Sequence, residues 1–198
     1  MKLYCATSNP GKLHEFRMAG GSGWEFVPLT GIPPCEETGE TFEENALQKS
    51  AYYSRHAPGL LFAEDSGLEV DALGGAPGVR SSRFAGEGAS DRDNNRLLIE
   101  KLRGVSDRSA RYVCVIALAE GGKVLGTFRG EVAGKIIDES RGTNGFGYDP
   151  HFLYEPFQLT FAEASAAQKL EVSHRGRALA QMVTWLTDNL IHPHQPSR

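Results

Sequence analysis

Gly121-Gly122 separates two strand-forming runs, Arg111 to Ala119 and Lys123 to Arg129, and the second extends through Val132 to Ile137. Paired glycines reach the positive φ that a tight turn requires, so these runs form an antiparallel hairpin in mid-chain. Upstream, short apolar runs alternate with amphipathic segments, the pattern of βα units. A hairpin and such units can share one sheet only if it is mixed, which excludes a purely parallel fold. The fold class expected is therefore α/β, with a mixed central sheet flanked by helices. Tyr112 to Ala119 is also the longest apolar stretch, far short of the roughly 18 residues of a membrane span. No membrane association is expected.

The 198 residues and formal net charge of −4 suit one domain over residues 1–191, with a polar, proline-containing tail, 192–198, that frays. An acidic balance argues against nucleic-acid binding, which needs a basic face. Cys5, Cys35 and Cys114 are few, odd in number and widely spaced, as in reduced thiols. With no charged segment preceding an apolar one at the start of the sequence, the expected location is cytoplasmic. Glycine is the unusual component: 23 residues, about 12% against a typical ~7%. Many cluster between periodic segments, which suggests a site built from loops.

Lys2 to Ala6 reads as a strand leading through Asn9, a cap, and Pro10 into a helix that ends at Gly20-Gly21-Ser22-Gly23. Trp24 to Leu29 is a second strand. Thr41 and Glu44 form a capping box that opens a helix towards Arg55. Leu60 to Ala63 is a brief buried strand stopping at Glu64-Asp65-Ser66-Gly67, and Gly74 to Gly88 is a long loop. Ser90-Asp91-Arg92-Asp93 starts a helix whose buried face is Leu97, Leu98 and Leu102. A second glycine-rich loop, Arg141 to Pro150, precedes a strand from His151 to Tyr154. Leu179, Met182, Val183, Leu186 and Leu190 mark one face of a C-terminal helix.

Chemistry concentrates in the connections. Thr7-Ser8-Asn9-Pro10-Gly11-Lys12 offers hydrogen-bond donors and a lysine at a helix N-terminus, where anions bind, although an ordinary βα turn would read the same way. Glu64 and Asp65 sit at a strand end, and alternation points them in opposite directions, so only one faces a given cleft. The alternative is a solvated turn. With Glu36-Glu37, itself open to a surface reading, they could hold Mg²⁺, which takes few carboxylates and keeps positions for phosphate oxygens. Gly145-Phe146-Gly147-Tyr148-Asp149 lets backbone approach a planar ligand while an aromatic ring stacks on it, unless Phe146 is simply tucked into the core. Lys169, His174 and Arg175 gather positive charge near a helix N-terminus, against its dipole. An anionic ligand would explain that, and so would salt bridges to Glu171 or Glu163.

In order along the chain stand T-S-N-P-G-K, E-E-T-G-x-T-F-x-E-N-A, E-D-S-G-L-x-V-D-x-L-G-G-A-P-G, F-A-G-E, G-F-G-Y-D-P and S-H-R-G-x-A-L. From Leu3 to about Leu190 the sequence resembles the inosine/xanthosine triphosphate pyrophosphatase family, although Glu64 stands where many members have Asp. The resemblance implies an elongated α/β fold with two lobes and a cleft between them, commonly a homodimer. It implies a hydrolase acting on a phosphoric anhydride bond, converting noncanonical purine nucleoside triphosphates (ITP, dITP, XTP) to monophosphate and pyrophosphate. Asp65 would be the general base and, with Glu36, would hold Mg²⁺. The triphosphate would be gripped by Thr7, Ser8, Asn9, Pro10, Gly11 and Lys12 with Lys169, and Ser66 would touch the substrate. Phe146, Gly147, Tyr148 and Asp149 would form the base pocket, with His174 and Arg175 completing the purine contacts. The competing readings are a pyrophosphatase for other modified nucleotides and a nucleotide-binding module without catalysis.

Overall fold

The structure is a computed structural model that describes all residues except 8, 20–22 and 192–198. Strand β1 (Lys2–Ala6), helix α1 (Pro10–Ala19) and strand β2 (Glu25–Pro28) form a βα unit, and helix α2 (Phe42–Tyr53) leads to β3 (Leu61–Val70). Helix α3 (Asp91–Lys101) precedes the long hairpin, β4 (Ser109–Glu120) and β5 (Lys123–Ile136). Short strands β6 (Phe152–Tyr154) and β7 (Leu159–Thr160) follow, then helices α4 (Ala166–Val172) and α5 (His174–Leu186). The strands form one sheet in the order β2-β1-β3-β4-β5-β6-β7. Pairings of β1 with β2 and β3 are parallel and the others antiparallel. The mixed sheet read from the hairpin is present.

The main correction is that Glu64 and Asp65 do not end a strand but lie in the middle of β3. The ladder to β4 continues through them, Glu64 opposite Ile116 and Asp65 opposite Val115, as far as Val70 opposite Ala110. Carboxylates survive inside a sheet because each is paired with cations or donors there, as described below. The glycine-rich stretch 74–88 is likewise not structureless. It carries a 3₁₀ segment, Gly78–Arg83, after another at Asp71–Leu73. The C-terminal helix is shorter than its apolar pattern: α5 ends at Leu186, wider turns cover Thr187–Ile191, and Leu190 is exposed. Of the expected α3 face, Leu98 and Leu102 are fully buried and Leu97 is half-buried. The helix end expected at Gly20-Gly21-Ser22 and the tail lie outside the described residues.

Alternation along β3 explains where a cleft can open. Phe62, Glu64, Ser66 and Leu68 share one face. Phe62 belongs to an apolar cluster with Leu3, Ile116, Leu118 and Met182, while Leu68 belongs to another with Tyr112, Val132 and Phe152. Each such fully buried side chain contributes roughly 1.5–3 kcal/mol. Between the two clusters the face is polar. On the opposite face α2 packs Phe42 and Ala46 over Val113, Val115 and Ala117. Helix α5 lies directly on β5 at Gly130, where a Cβ would strike the His174 carbonyl and the Ala178 amide. That close approach brings the first turn of α5, with His174 and Arg175, over the polar gap.

Candidate active site

The turn after β1 is built by Asn9. Its side-chain oxygen accepts from the Gly11 and Lys12 amides at 2.9 and 3.1 Å, and its own amide donates to Thr7 Oγ1 at 3.2 Å. This caps α1 as the sequence predicts and leaves its N-terminus at the polar end of β1. Ser8 lies outside the described residues. The register of β1 on β3 ends at Ala6 opposite Ala63. From Glu64 onward β1 no longer covers that edge of β3, and the Thr7–Lys12 turn stands beside it.

On the pocket face a chain of alternating charges begins at Lys12. Its Nζ lies 2.5 Å from Glu64 Oε1, and Glu64 Oε2 lies 3.9 Å from the Arg175 guanidinium. Arg175 pairs with Glu15, Glu15 with Lys169 at 2.8 Å, and Lys169 with Asp149 at 2.6 Å. Tyr112 Oη donates to Asp149 at 3.3 Å, and Arg175 donates to Ser66 Oγ at 3.0 Å. Burial works against the charged form of Glu64, yet Lys12, Arg175 and Lys49 outweigh it and hold the carboxyl well below its usual range. Glu15 is lowered in the same way, burial being more than offset by Arg175 and Lys169. The partners of Lys169 and Arg175 are thus Glu15, Glu64 and Asp149; Glu163 pairs with Arg141 instead.

A pocket opens beside this chain, lined among others by Ser66, Tyr112, Phe146, Tyr148, His174 and Arg175. The Phe146 ring lies 4.8 Å from Lys169 Nζ and 5.6 Å from Arg175 Cζ, so its face carries cations, not the core. His174 stacks on Tyr112 at 4.7 Å, and its Nδ1 has no partner among the described residues. Burial first, then the Arg175 and Lys169 charges, push the imidazole well below its ordinary pKa. It is a neutral ring that can donate or accept. Arg175 Nε also has no partner among the described residues. Such a pocket offers a planar ligand a stacking surface and buried polar atoms to satisfy.

Asp65 lies on the other face of β3, as alternation predicts. Its carboxylate accepts from Asn45 at 3.2 Å and from Lys49 at 3.0 Å, and Lys49 also reaches Glu37 at 3.2 Å. Burial raises the Asp65 pKa despite the opposing pull of Lys49 and Lys12. Lys49 is raised because Asp65, Glu64 and Glu37 outweigh its burial. The sequence reading missed Asn45, Lys49 and Glu15. Asn45 and Lys49 are one turn apart on the buried face of α2, and a lysine on a face that packs on a sheet is the signal that could have found them. Glu36 is exposed, while its neighbour Glu37 is the residue tied through Lys49 to Asp65. Among the described residues no three His, Cys, Asp or Glu side chains converge as a ready-made metal cage. A hard cation that completes its shell with water and phosphate needs only one or two carboxylates, and Glu37, tied through Lys49 to Asp65, brings a second carboxylate to that side of β3.

A mixed α/β sheet with a cation-lined pocket, a helix N-terminus and an aromatic glycine loop defines a protein built to hold a planar, anionic ligand. The sequence profile of the Ham1 family matches residues 3–185, and the chain belongs to that family. It is 47% identical to a dITP/XTP pyrophosphatase of Acidobacterium capsulatum, covering 94% of this chain and 98% of that protein. The solved Ham1 protein of Coxiella burnetii superposes with a TM-score of 0.86 at 41% identity, covering 94% of this chain and 98% of that one. A structure described as a nucleoside-triphosphatase or dITP/XTP pyrophosphatase from Mycobacterium abscessus gives 0.72 at 39% identity, covering 92% and 99%.

Proposed function

We propose that this protein hydrolyses the noncanonical purine nucleoside triphosphates ITP, dITP and XTP to the nucleoside monophosphate and pyrophosphate, clearing them from the nucleotide pool. The observation that carries this reading is the adjacency of the Asn9-capped turn and Lys12 to the pocket of Phe146, His174 and Arg175. Phosphates are favoured at the first, a purine at the second. Arg175 can only donate hydrogen bonds, so it favours the 6-oxo group of hypoxanthine and xanthine over the donating 6-amino group of adenine.

Asp65 is the general base in this reading. Its raised pKa suits a carboxylate that takes a proton from water, and the uncovered edge of β3 gives both Glu64 and Asp65 access to the phosphate turn. Lys12 and Lys169 bind phosphate oxygens, and Lys49 and Asn45 orient Asp65. Mg²⁺ would be held by Asp65 with Glu36, while Glu37 stays on Lys49. When bound it would neutralise phosphate charge. The protein acts as a homodimer, the state its resemblance implies.

Pyrophosphate release from ITP, XTP, dITP, GTP and ATP, each with and without Mg²⁺, tests the reading. Metal-dependent release from the first three in preference to ATP is expected. Nucleotide binding with no release from any of them would instead favour a binding module.

A further inference from the structure

Helix α3 opens with Asp91, whose carboxylate is not needed for capping, because Ser90 and Asp93 already form the capping box of that helix. Asp91 Oδ2 instead accepts the Gly147 amide at 2.7 Å. One turn later Asn95, a poor helix former, donates its amide to the Gly147 carbonyl at 2.8 Å and to the Asp91 carbonyl at 2.9 Å. Both backbone groups of one loop residue are thus taken by two side chains of a single helical turn. Gly147 has φ +63, a left-handed conformation open to glycine. Like Gly145, it has wide conformational choice, and it is the one whose amide and carbonyl are both restrained from α3. Its neighbours are held elsewhere: the Phe146 amide donates to Asp149 at 2.9 Å, and Tyr148 Oη donates to the Ser81 carbonyl at 2.8 Å. The loop separates the pocket from an open groove along α3; Asp91, Phe146 and Gly147 line both, and Asn95 lines the groove.

We propose that Asp91 and Asn95 are a positioning pair that clamps Gly147 and so holds Phe146 at the width a purine requires, setting affinity and base preference without taking part in the chemistry. The proposal rests on the purine-nucleotide reading above. Because both acceptors facing the Asn95 amide are carbonyls, its orientation is fixed, and reversing its polarity has a definite sign. A carboxylate at position 95 would face two carbonyl oxygens.

The test combines steady-state kinetics with ITP and ATP, calorimetric binding of inosine monophosphate, thermal melting, and hydrogen exchange at the Gly147 amide, all on the full chain. Asp91→Ala and Asn95→Ala should each raise KM for ITP and Kd for inosine monophosphate about tenfold, the worth of one hydrogen bond to or from the clamp. In both, kcat should stay close to wild type, the preference for ITP over ATP should narrow, and Gly147 exchange should quicken. Asp91→Asn, whose amide oxygen can take the same N–H, should recover most of that affinity. Asn95→Asp should be worse than Asn95→Ala. Unchanged affinity in both alanine variants, or kcat and melting temperature falling together with affinity intact, overturns the clamp. A wild-type protein that binds inosine monophosphate but releases no pyrophosphate overturns the pyrophosphatase reading alone, since the binding and exchange measurements still decide the clamp.

Discussion

Glu64 and Asp65 are adjacent in the chain, both buried, and perturbed in opposite directions. Glu64 lies among Lys12, Arg175 and Lys49 charges and is held as an anion well below its usual pKa; Asp65, with Lys49 and a neutral Asn45, is pushed upward by burial. Desolvation is common to both, so the balance of neighbouring charges decides the sign. Lys12, Arg175 and Lys49 lower Glu64, whereas at Asp65 the pull of Lys49 and Lys12 is opposed by the Glu64 anion. One face of β3 is thus an electrostatic scaffold and the other holds a carboxylate poised to titrate. The proposed division of labour between structure and proton transfer follows from that difference.

The largest expected effect is on the Asp65 side. Asp65→Asn should lower kcat by about 10²–10⁴, the usual worth of a general base, with nucleotide binding retained. Near-normal turnover would show that Asp65 is not the base. Glu64→Gln should instead act on stability. Removing the anion leaves Lys12 and Arg175 without their shared partner, which costs about 3 kcal/mol or more, a fall in Tm on the order of 10 °C at this chain length. Asp65→Asn should lower Tm less, because burial already disfavours the Asp65 anion and Lys49 keeps Glu37 as a partner. Equal Tm losses in the two variants would erase the comparison.

The pH dependence carries the same contrast. A carboxyl held low in the folded state stabilises above its unfolded pKa and loses that contribution as pH falls through the folded value. Glu64→Gln should therefore flatten the acid side of the stability profile. A carboxyl raised in the folded state contributes below its unfolded pKa and loses that contribution as pH rises through the folded value, so Asp65→Asn should flatten the profile on that side. Identical profiles for the two variants would contradict the opposite signs.

Smaller effects test the ends of the charge chain. Arg175→Ala should reduce kcat/KM for ITP roughly 10–100-fold, as expected for loss of a charge-assisted donor, and narrow the ratio of ITP to ATP. An unchanged ratio would move Arg175 from base recognition to the scaffold. Lys12→Ala or Lys169→Ala should weaken triphosphates about tenfold more than the monophosphate. Equal losses for both ligands would mean these lysines serve Glu64, Glu15 and Asp149 and do not read the phosphate tail.

Local physics made much of this legible in sequence. The Gly121-Gly122 turn settled the hairpin, the Thr41/Glu44 box and the Ser90-Asp91-Arg92-Asp93 run marked two helix starts, and the Asn9 cap settled the geometry of the turn after β1. Each depends on residues at most a few positions apart. Alternation alone separated Glu64 from Asp65, because side-chain direction in a strand has a period of two. The extent of β3 was not legible. A strand interrupted by two carboxylates and a serine looks finished, and only Lys12, Asn45, Lys49 and Arg175, brought from α1, α2 and α5, supply the charge and donors that let those residues stay inside a sheet. The clamp of α3 on Gly147 was hidden for the same reason. Asp91 and Asn95 announce a helix start locally, while the backbone they restrain lies more than fifty positions along the chain. The sequence by itself determined the sheet type, the caps and which side chains share a face, since these follow from backbone periodicity and short-range hydrogen bonding. Only the tertiary structure decided which charges meet, and with them the direction of each pKa shift, because electrostatic pairing depends on distance in space and not along the chain.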